Sequence, residues 1–289
     1  MKTLVKFQKI RRISLTIFFS SIFFSAVVII YIQNYNNKPG PYTYPNKWQL
    51  ALFDDFTSPS LDMNIWSYNY PYDWPHEGHT HNHQAYMDEA NVLLENGFLR
   101  LIGENKHHPN APEPEYAFGK YLTYNYTAGA INTREKFNFT GGYIEGRFRM
   151  PATRGFWPAF WMLKDAEIGL PEIDILEILS SSPNTLYTTV HYGHSWSSYK
   201  SYGWMSVNHP DLSLDFHTYG VEVTESTLKW FLDGKRIGII FRDKYWLEQC
   251  TDLFVIINLA IGGWEVNPDT TTIWPAYFDC DWIKVWQLI

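Results

Sequence analysis

The sequence is short of cysteine, of charge and of helical periodicity, and each shortage narrows what the chain can be. Only Cys250 and Cys280 occur in 289 residues, which leaves at most one internal disulfide, or two unpaired buried thiols. Charged residues make up 18% of the chain, the same rounded share as the aromatic ones, which excludes a disordered polymer. Acids are missing altogether from the first 47 positions. Seven of the 23 Lys and Arg precede Trp48 and none of the 30 Asp and Glu do, so the remainder carries 16 against 30, a formal −14. Such a body repels polyanions, which excludes nucleic acid as a partner. No repeat of roughly 20 to 50 residues is visible, which argues against a propeller or solenoid.

What is present begins with a basic head, residues 1–12, followed by the uncharged run Ile13–Ile32. Twenty residues match the ~20 needed to cross a ~30 Å hydrocarbon core. A cleaved signal would have a shorter apolar region ending in small residues, whereas Ala26 is followed by Val27-Val28-Ile29-Ile30. The expectation is therefore a transmembrane signal anchor at 13–32 with a cytoplasmic head, which places the rest of the chain outside the cytoplasm; secretion after cleavage is the alternative. Residues 33–47 are rich in Asn and Pro without apolar periodicity and read as a linker. One folded domain is expected at 48–289, and a monomer is expected.

From Trp48 onward, short β-rich runs are broken by turn residues: Gly97–Ile102, Gly142–Met150, Leu186–Tyr192, Thr218–Val223, Leu228–Leu232 and Asp281–Trp286. Several alternate apolar with polar, the period of a half-buried strand. Asp233-Gly234 between two of them is hairpin chemistry. The pattern predicts an all-β sandwich or barrel.

The most informative segment is Glu172-Ile-Asp-Ile-Leu-Glu177. In a regular strand Glu172 and Asp174 share a face and Glu177 points the other way. One inserted residue, a bulge at Ile175-Leu176, returns Glu177 to the face of the other two acids. Exposed acids on an edge strand are the ordinary explanation for a single Glu-x-Asp, but the intervening Ile and Leu mark a strand buried on its other face. Clustered carboxylates force at least one to hold its proton, and glycoside hydrolysis needs one carboxylate and one carboxylic acid at neutral pH. Upstream, Gly155-Phe-Trp-Pro-Ala-Phe-Trp-Met162 places Trp157 and Trp161 on one strand face, where flat indoles suit the apolar C–H faces of sugar rings.

These two segments closely resemble the signature of glycoside hydrolase family sixteen. Further matches run in order through Phe53-Asp-Asp-Phe56, Ala128-Gly-Ala-Ile-Asn-Thr133, Gly142-Tyr-Ile-Glu-Gly-Arg147, Thr189-Val-His-Tyr-Gly193, Trp230-Phe-Leu-Asp-Gly234 and Asn258-Leu-Ala-Ile-Gly-Gly263. The resemblance implies a concanavalin-like β-jelly-roll sandwich with a concave substrate cleft, and the extra residue in the acidic motif is similar to the laminarinase-like, endo-β-1,3-glucanase branch. It implies Glu172 as nucleophile, Glu177 as general acid/base, Asp174 as the neighbour that orients the nucleophile, and retention of configuration. It places Trp157, Trp161, His191 and Trp264 against the sugar. It implies no catalytic cofactor, and a structural Ca²⁺ held by Asp281, the Gly97 carbonyl and the Asp55 region.

Ala130 stands where many laminarinase-like members carry Arg, and the segment after Gly262-Gly263 is short, so linkage preference follows less directly than chemistry. The expected substrate is a β-glucan with β-1,3 or mixed β-1,3-1,4 linkages. A glucan-recognition protein on the same fold, or a relative acting on agar, carrageenan, xyloglucan or galactan, is the alternative. Four His in the loop from Trp74 to His83 suggest zinc by composition alone, and sugar-contacting or incidental His are the preferred reading.

Overall fold

The structure is a computed structural model and describes residues 48–288 except 72–81, 118–119, 167–168 and 242–249. The expected basic head, transmembrane anchor at 13–32 and linker lie outside the described residues, as do His76, His79 and His81. No helix among the described residues is long and apolar enough to cross a membrane.

The described chain is almost entirely strand: β1 (Trp48–Asp54), β2 (Ser67–Tyr68), β3 (Ala85–Met87), β4 (Val92–Glu95), β5 (Phe98–Gly103), β6 (Glu115–Ala117), β7 (Lys120–Leu122), β8 (Tyr126–Ala128), β9 (Ala130–Asn132), β10 (Gly142–Arg149), β11 (Phe156–Lys164), β12 (Glu172–Glu177), β13 (Leu186–Tyr192), β14 (Lys200–Ser206), β15 (His217–Val223), β16 (Thr227–Leu232), β17 (Lys235–Phe241), β18 (Leu253–Ile261) and β19 (Ala276–Leu288). Two antiparallel sheets form a jelly-roll sandwich. One has eight strands in the order β17-β16-β15-β10-β19-β5-β4, with β1 also paired to β19; the other has seven, in the order β14-β13-β12-β11-β18-β9-β2.

Alternation explains how the sheets meet. In β10, Ile144 and Phe148 turn into the core while Glu145, Arg147 and Arg149 face outward, the period-two pattern of a sheet covered on one face. Phe148 packs on Phe160 of the facing sheet at a ring separation of 4.9 Å and on Phe278 at 5.2 Å. Strands β11 and β18, at the middle of the seven-stranded sheet, are buried over nearly every residue. Their outward faces lie under the cleft described below, so they read as unbroken apolar runs. The Asp233-Gly234 turn joins β16 to β17 with positive φ at both residues, 48° and 73°, the backbone of a tight two-residue hairpin. Cys250 and Cys280 are both buried and form no disulfide, so the sandwich is held by packing.

Candidate active site

Strand β12 lies between β11 and β13, and its register carries the site. Trp161 pairs with Asp174, but Phe160 pairs with Leu176 and Ala159 with Glu177. Toward β13, Asp174 pairs with Thr189 and Glu177 with Tyr187. Two residues of β12, Ile175 and Leu176, therefore stand where one would fit, and this bulge restores Glu177 to the face of Glu172 and Asp174. All three acids line one cleft together with Trp157, Ala159, Trp161, Asn258 and Ala260, while Ile173, Ile175, Leu176 and Ile178 enter the core. The ladder broken by the bulge leaves a backbone carbonyl to be satisfied, because a buried unpaired carbonyl is costly. The indole N–H of Trp230, reaching from β16 of the opposite sheet, donates to the Asp174 carbonyl oxygen at 2.8 Å.

The acids are deeply placed. The Glu172 side chain is 16% exposed and that of Asp174 4%. Burial pushes Glu172 well above the ordinary carboxyl range; the Asp174 charge adds to the rise, the nearby His191 opposes it, and Glu177 adds again. Burial likewise raises Glu177 well above its usual value, with Asp174 adding and His191 and the Trp157 N–H opposing. Asp174 is pushed up to about 8 by burial. For Glu177 desolvation is the larger cause and neighbouring negative charge the second, because the bulged strand lies inside its sheet with a strand on either side. A proton is therefore retained within this group at neutral pH.

The expected sugar-contacting residues converge on these acids. Trp157 Nε1 donates to Glu177 Oε1 at 3.1 Å. Trp161 Nε1 donates to Asn258 Oδ1 at 2.8 Å, which ties the indole to the neighbouring strand β18. His191 pairs opposite Glu172 in the sheet, and its Nε2 lies 3.1 Å from Asp174 Oδ2 and 3.7 Å from Glu172 Oε1. Trp264 is 48% exposed and makes edge contacts with Trp157 at 5.6 Å and Tyr187 at 4.7 Å, extending an aromatic wall from the cleft. Its neighbour Glu265, buried, anchors that loop by accepting from Ser181 Oγ at 2.9 Å. Asn258 and Trp230 were not singled out from sequence; Asn258 is the one polar residue in the run Leu253–Ile261, a signal that was there to be read. His83, from the His-rich loop, is buried, and its Nδ1 accepts from the Ala85 N–H at 3.2 Å.

Among the described residues, Glu172, Asp174 and His191 offer ligand atoms within 4.8 Å of one another. The hydrogen-bond distance from His191 to Asp174 accounts for that closeness without an ion. The calcium candidates lie on the eight-stranded sheet instead. Gly97 is in the β4–β5 turn; Leu99 pairs with Cys280, beside Asp281, and Asp54, beside Asp55, pairs with Ile283. Asp281 Oδ2 accepts from Arg147 at 2.5 Å and Asp55 Oδ1 from Thr57 Oγ1 at 2.7 Å. The remaining carboxylate oxygens and the Gly97 carbonyl are hard donors, suited to calcium in kind.

Two outcomes follow from this geometry. Trp230→Phe puts a smaller ring in the fully buried indole's place and leaves the Asp174 carbonyl without its donor, so urea denaturation should show a loss of at least about 1–3 kcal/mol, the cavity adding to the unmade hydrogen bond. Asp174→Asn removes a carboxyl whose pKa is near 8 when folded and ~3.9 when unfolded. The native state binds that proton more tightly, so the wild type loses stability as pH rises through this window. Melting curves should show Asp174→Asn more stable than wild type at pH 8, by at least ~2 °C, with the advantage vanishing toward pH 4.

Comparison with known proteins agrees with this geometry. The family model described as glycosyl hydrolases family 16 matches residues 80–284. Glucan endo-1,3-beta-glucosidase A1 of Niallia circulans is 28% identical over 269 residues, 83% of this chain and 37% of that protein. Endo-1,3-1,4-beta-glycanase EglC of Rhizobium meliloti is 34% identical over 165 residues, 57% of this chain and 34% of that one. The chain thus spans little more than a third of the length of these two relatives. The laminarinase catalytic domain of Thermotoga maritima superposes with a TM-score of 0.65 at 29% identity, over 83% of this chain and 98% of that domain. With the bulged acidic strand inside a match that covers most of its length, the chain belongs to glycosyl hydrolases family 16.

Proposed function

We propose that the chain is an endo-acting β-glucan hydrolase that cleaves β-1,3 or mixed β-1,3-1,4 glucosidic bonds with retention of configuration. The observation that carries this reading is the bulge that turns Glu172, Asp174 and Glu177 onto one cleft face beside Trp157 and Trp161. Relatives named for endo-1,3-β-glucan and endo-1,3-1,4-β-glycan cleavage support the substrate class.

In this reading Glu172, as carboxylate, attacks the anomeric carbon while Glu177, as carboxylic acid, gives its proton to the departing glycosidic oxygen. The bond from sugar to leaving group breaks and an ester to Glu172 forms. That ester carries no charge, so the field on Glu177 weakens and its pKa falls. Glu177 then takes a proton from water, whose oxygen attacks the anomeric carbon and releases Glu172. His191 opposes the rise at Glu172, which favours the ionised nucleophile, and Asp174, between the two, orients that nucleophile.

The same reading places calcium, as a stabilising ion without part in the chemistry, against Asp281, the Gly97 carbonyl and Asp55. It also places the catalytic unit outside the cytoplasm, held by an anchor at 13–32, on the strength of the basic head and the uncharged run.

The decisive experiment measures reducing ends released from laminarin and from a mixed-linkage glucan, with carrageenan and xyloglucan in the panel. Wild type should act on the glucans, and Glu172→Gln and Glu177→Gln should each lose at least roughly 10²-fold while remaining folded. Azide should restore turnover to Glu172→Ala as a glycosyl azide of inverted anomer. Wild-type rates in either Gln variant refute the assignment, and activity confined to carrageenan refutes the substrate. For the anchor, residues 46–289 expressed alone should be soluble and active, whereas the whole chain should partition with membranes; a whole chain found only in the soluble fraction, beginning near Ala26 to Asn37, would show cleavage instead.

A further inference from the structure

His191 has a second ring nitrogen, and what holds it lies outside the acidic strand. Nδ1 of His191 is 2.5 Å from the hydroxyl of Tyr199, and the two rings stack at 5.8 Å with an interplanar angle of 25°. Resting on the reading of Glu172 and Asp174 as the reacting acids, we propose that Tyr199 is a positioning residue whose hydroxyl fixes the imidazole of His191 so that Nε2 stays on Asp174 and Glu172.

The loop from 193 to 199 is built to deliver that hydroxyl. The β13–β14 ladder ends with Tyr192 opposite Lys200, so Tyr199 is the last residue before the strand returns. A 3-10 turn at Trp196–Ser198 precedes it. Ser198 Oγ accepts from the backbone N–H groups of His194 and Ser195, both at 3.0 Å, and the Ser198 N–H donates to the Ser195 carbonyl at 3.0 Å. Gly193 enters this turn at φ 148°, where an added Cβ would stand 2.8 Å from the Ser198 carbonyl oxygen. Close approach of backbone to backbone therefore requires glycine here.

A hydroxyl can serve Nδ1 as donor or as acceptor, so it holds the ring whichever nitrogen carries the proton. The charged and titratable groups facing His191 are Asp174 and Glu172 from β12, with Glu177 within electrostatic reach, and Tyr199 from the loop. Its neighbour across the ladder in β14 is Ser201, and Lys200 is exposed. His191 opposes the rise in both Glu172 and Glu177. A ring released from Tyr199 swings off the carboxylates, the opposition weakens, and Glu172 ionises only at higher pH.

Tyr199→Phe is the test, because it retains the stacked ring and deletes only the hydroxyl. The variant should melt close to wild type, with kcat reduced about tenfold, the worth of one charge-assisted hydrogen bond, and KM little changed. The acidic limb of the pH–rate profile should move to higher pH. Imidazole ¹⁵N spectra should show one fixed His191 tautomer in wild type and averaged shifts in the variant. An acidic limb that superimposes on wild type overturns the proposal, whatever happens to kcat, and so do unchanged His191 shifts. Wild-type protein inactive on every glucan would instead refute the hydrolase reading, and the ¹⁵N shifts would then decide for or against the Tyr199–His191 contact by themselves.

Discussion

One constraint organises this molecule: three carboxylates must share a face in a place where water is scarce. Like charges held together in a poorly hydrated site resist ionisation, and the sandwich imposes both conditions through β12. That strand is in the interior of its sheet, not at an edge, with β11 on one side and β13 on the other. A regular strand there presents only two acids to the cleft. The third arrives by way of the bulge, and the bulge has its own cost, a ladder interrupted inside the protein. The cost is met from the opposite sheet, where the fully buried Trp230 donates to the carbonyl of the residue at the break. A catalytic geometry on one sheet thus depends on a core residue of the other, and cleft and core are not separable designs.

Much else follows from what covers those acids. Strand β11 alternates Trp157 and Trp161 toward the cleft with Phe156, Phe160 and Met162 toward the core, so a single strand supplies both the aromatic floor and the packing beneath it. Asn258 serves the same economy on β18. It accepts from the Trp161 indole N–H at 2.8 Å, which gives a donor buried beneath the cleft its partner. Farther out, Trp264 rests edge-on against Trp157 and Tyr187, which continues the aromatic wall into a half-exposed segment.

The parts of this arrangement legible in the sequence were those written locally. The spacing Glu-x-Asp-x-x-Glu, with apolar residues between, contains the bulge, because only an inserted residue reconciles three acids on one face with Ile173 and Ile178 in the core. Asp233-Gly234 spells out its own turn. Strand β18 shows no alternation, since both of its faces are covered, and only length and flanking residues mark it as a strand. The carboxy-terminal strand is longer than its apolar core, Asp281–Trp286, suggests: it runs from Ala276 to Leu288, and includes Asp279, which is buried beneath Arg100 and Arg149 and paired with both. No local rule reveals that pairing. Trp230 and Tyr199 were illegible for the same reason, as each acts on a partner that topology brings from elsewhere.

The contrast between these two residues bears on where such a site stores its precision. Trp230 fixes the backbone of the bulge from within the core, where nothing moves without loss of packing. The Tyr199 hydroxyl fixes a side chain from a short surface loop whose shape is set by Gly193 and the Ser198 hydroxyl. The first determines that the acids face the cleft at all. The second bears on the balance of protons among them through His191, which opposes the rise at Glu172 and Glu177 alike. A sandwich core leaves little freedom to vary the former without unfolding, whereas a loop residue can change with modest structural consequence. In the proposed reading, adjustment of the working pH range therefore belongs to the loop after β13, and the chemistry itself to β12.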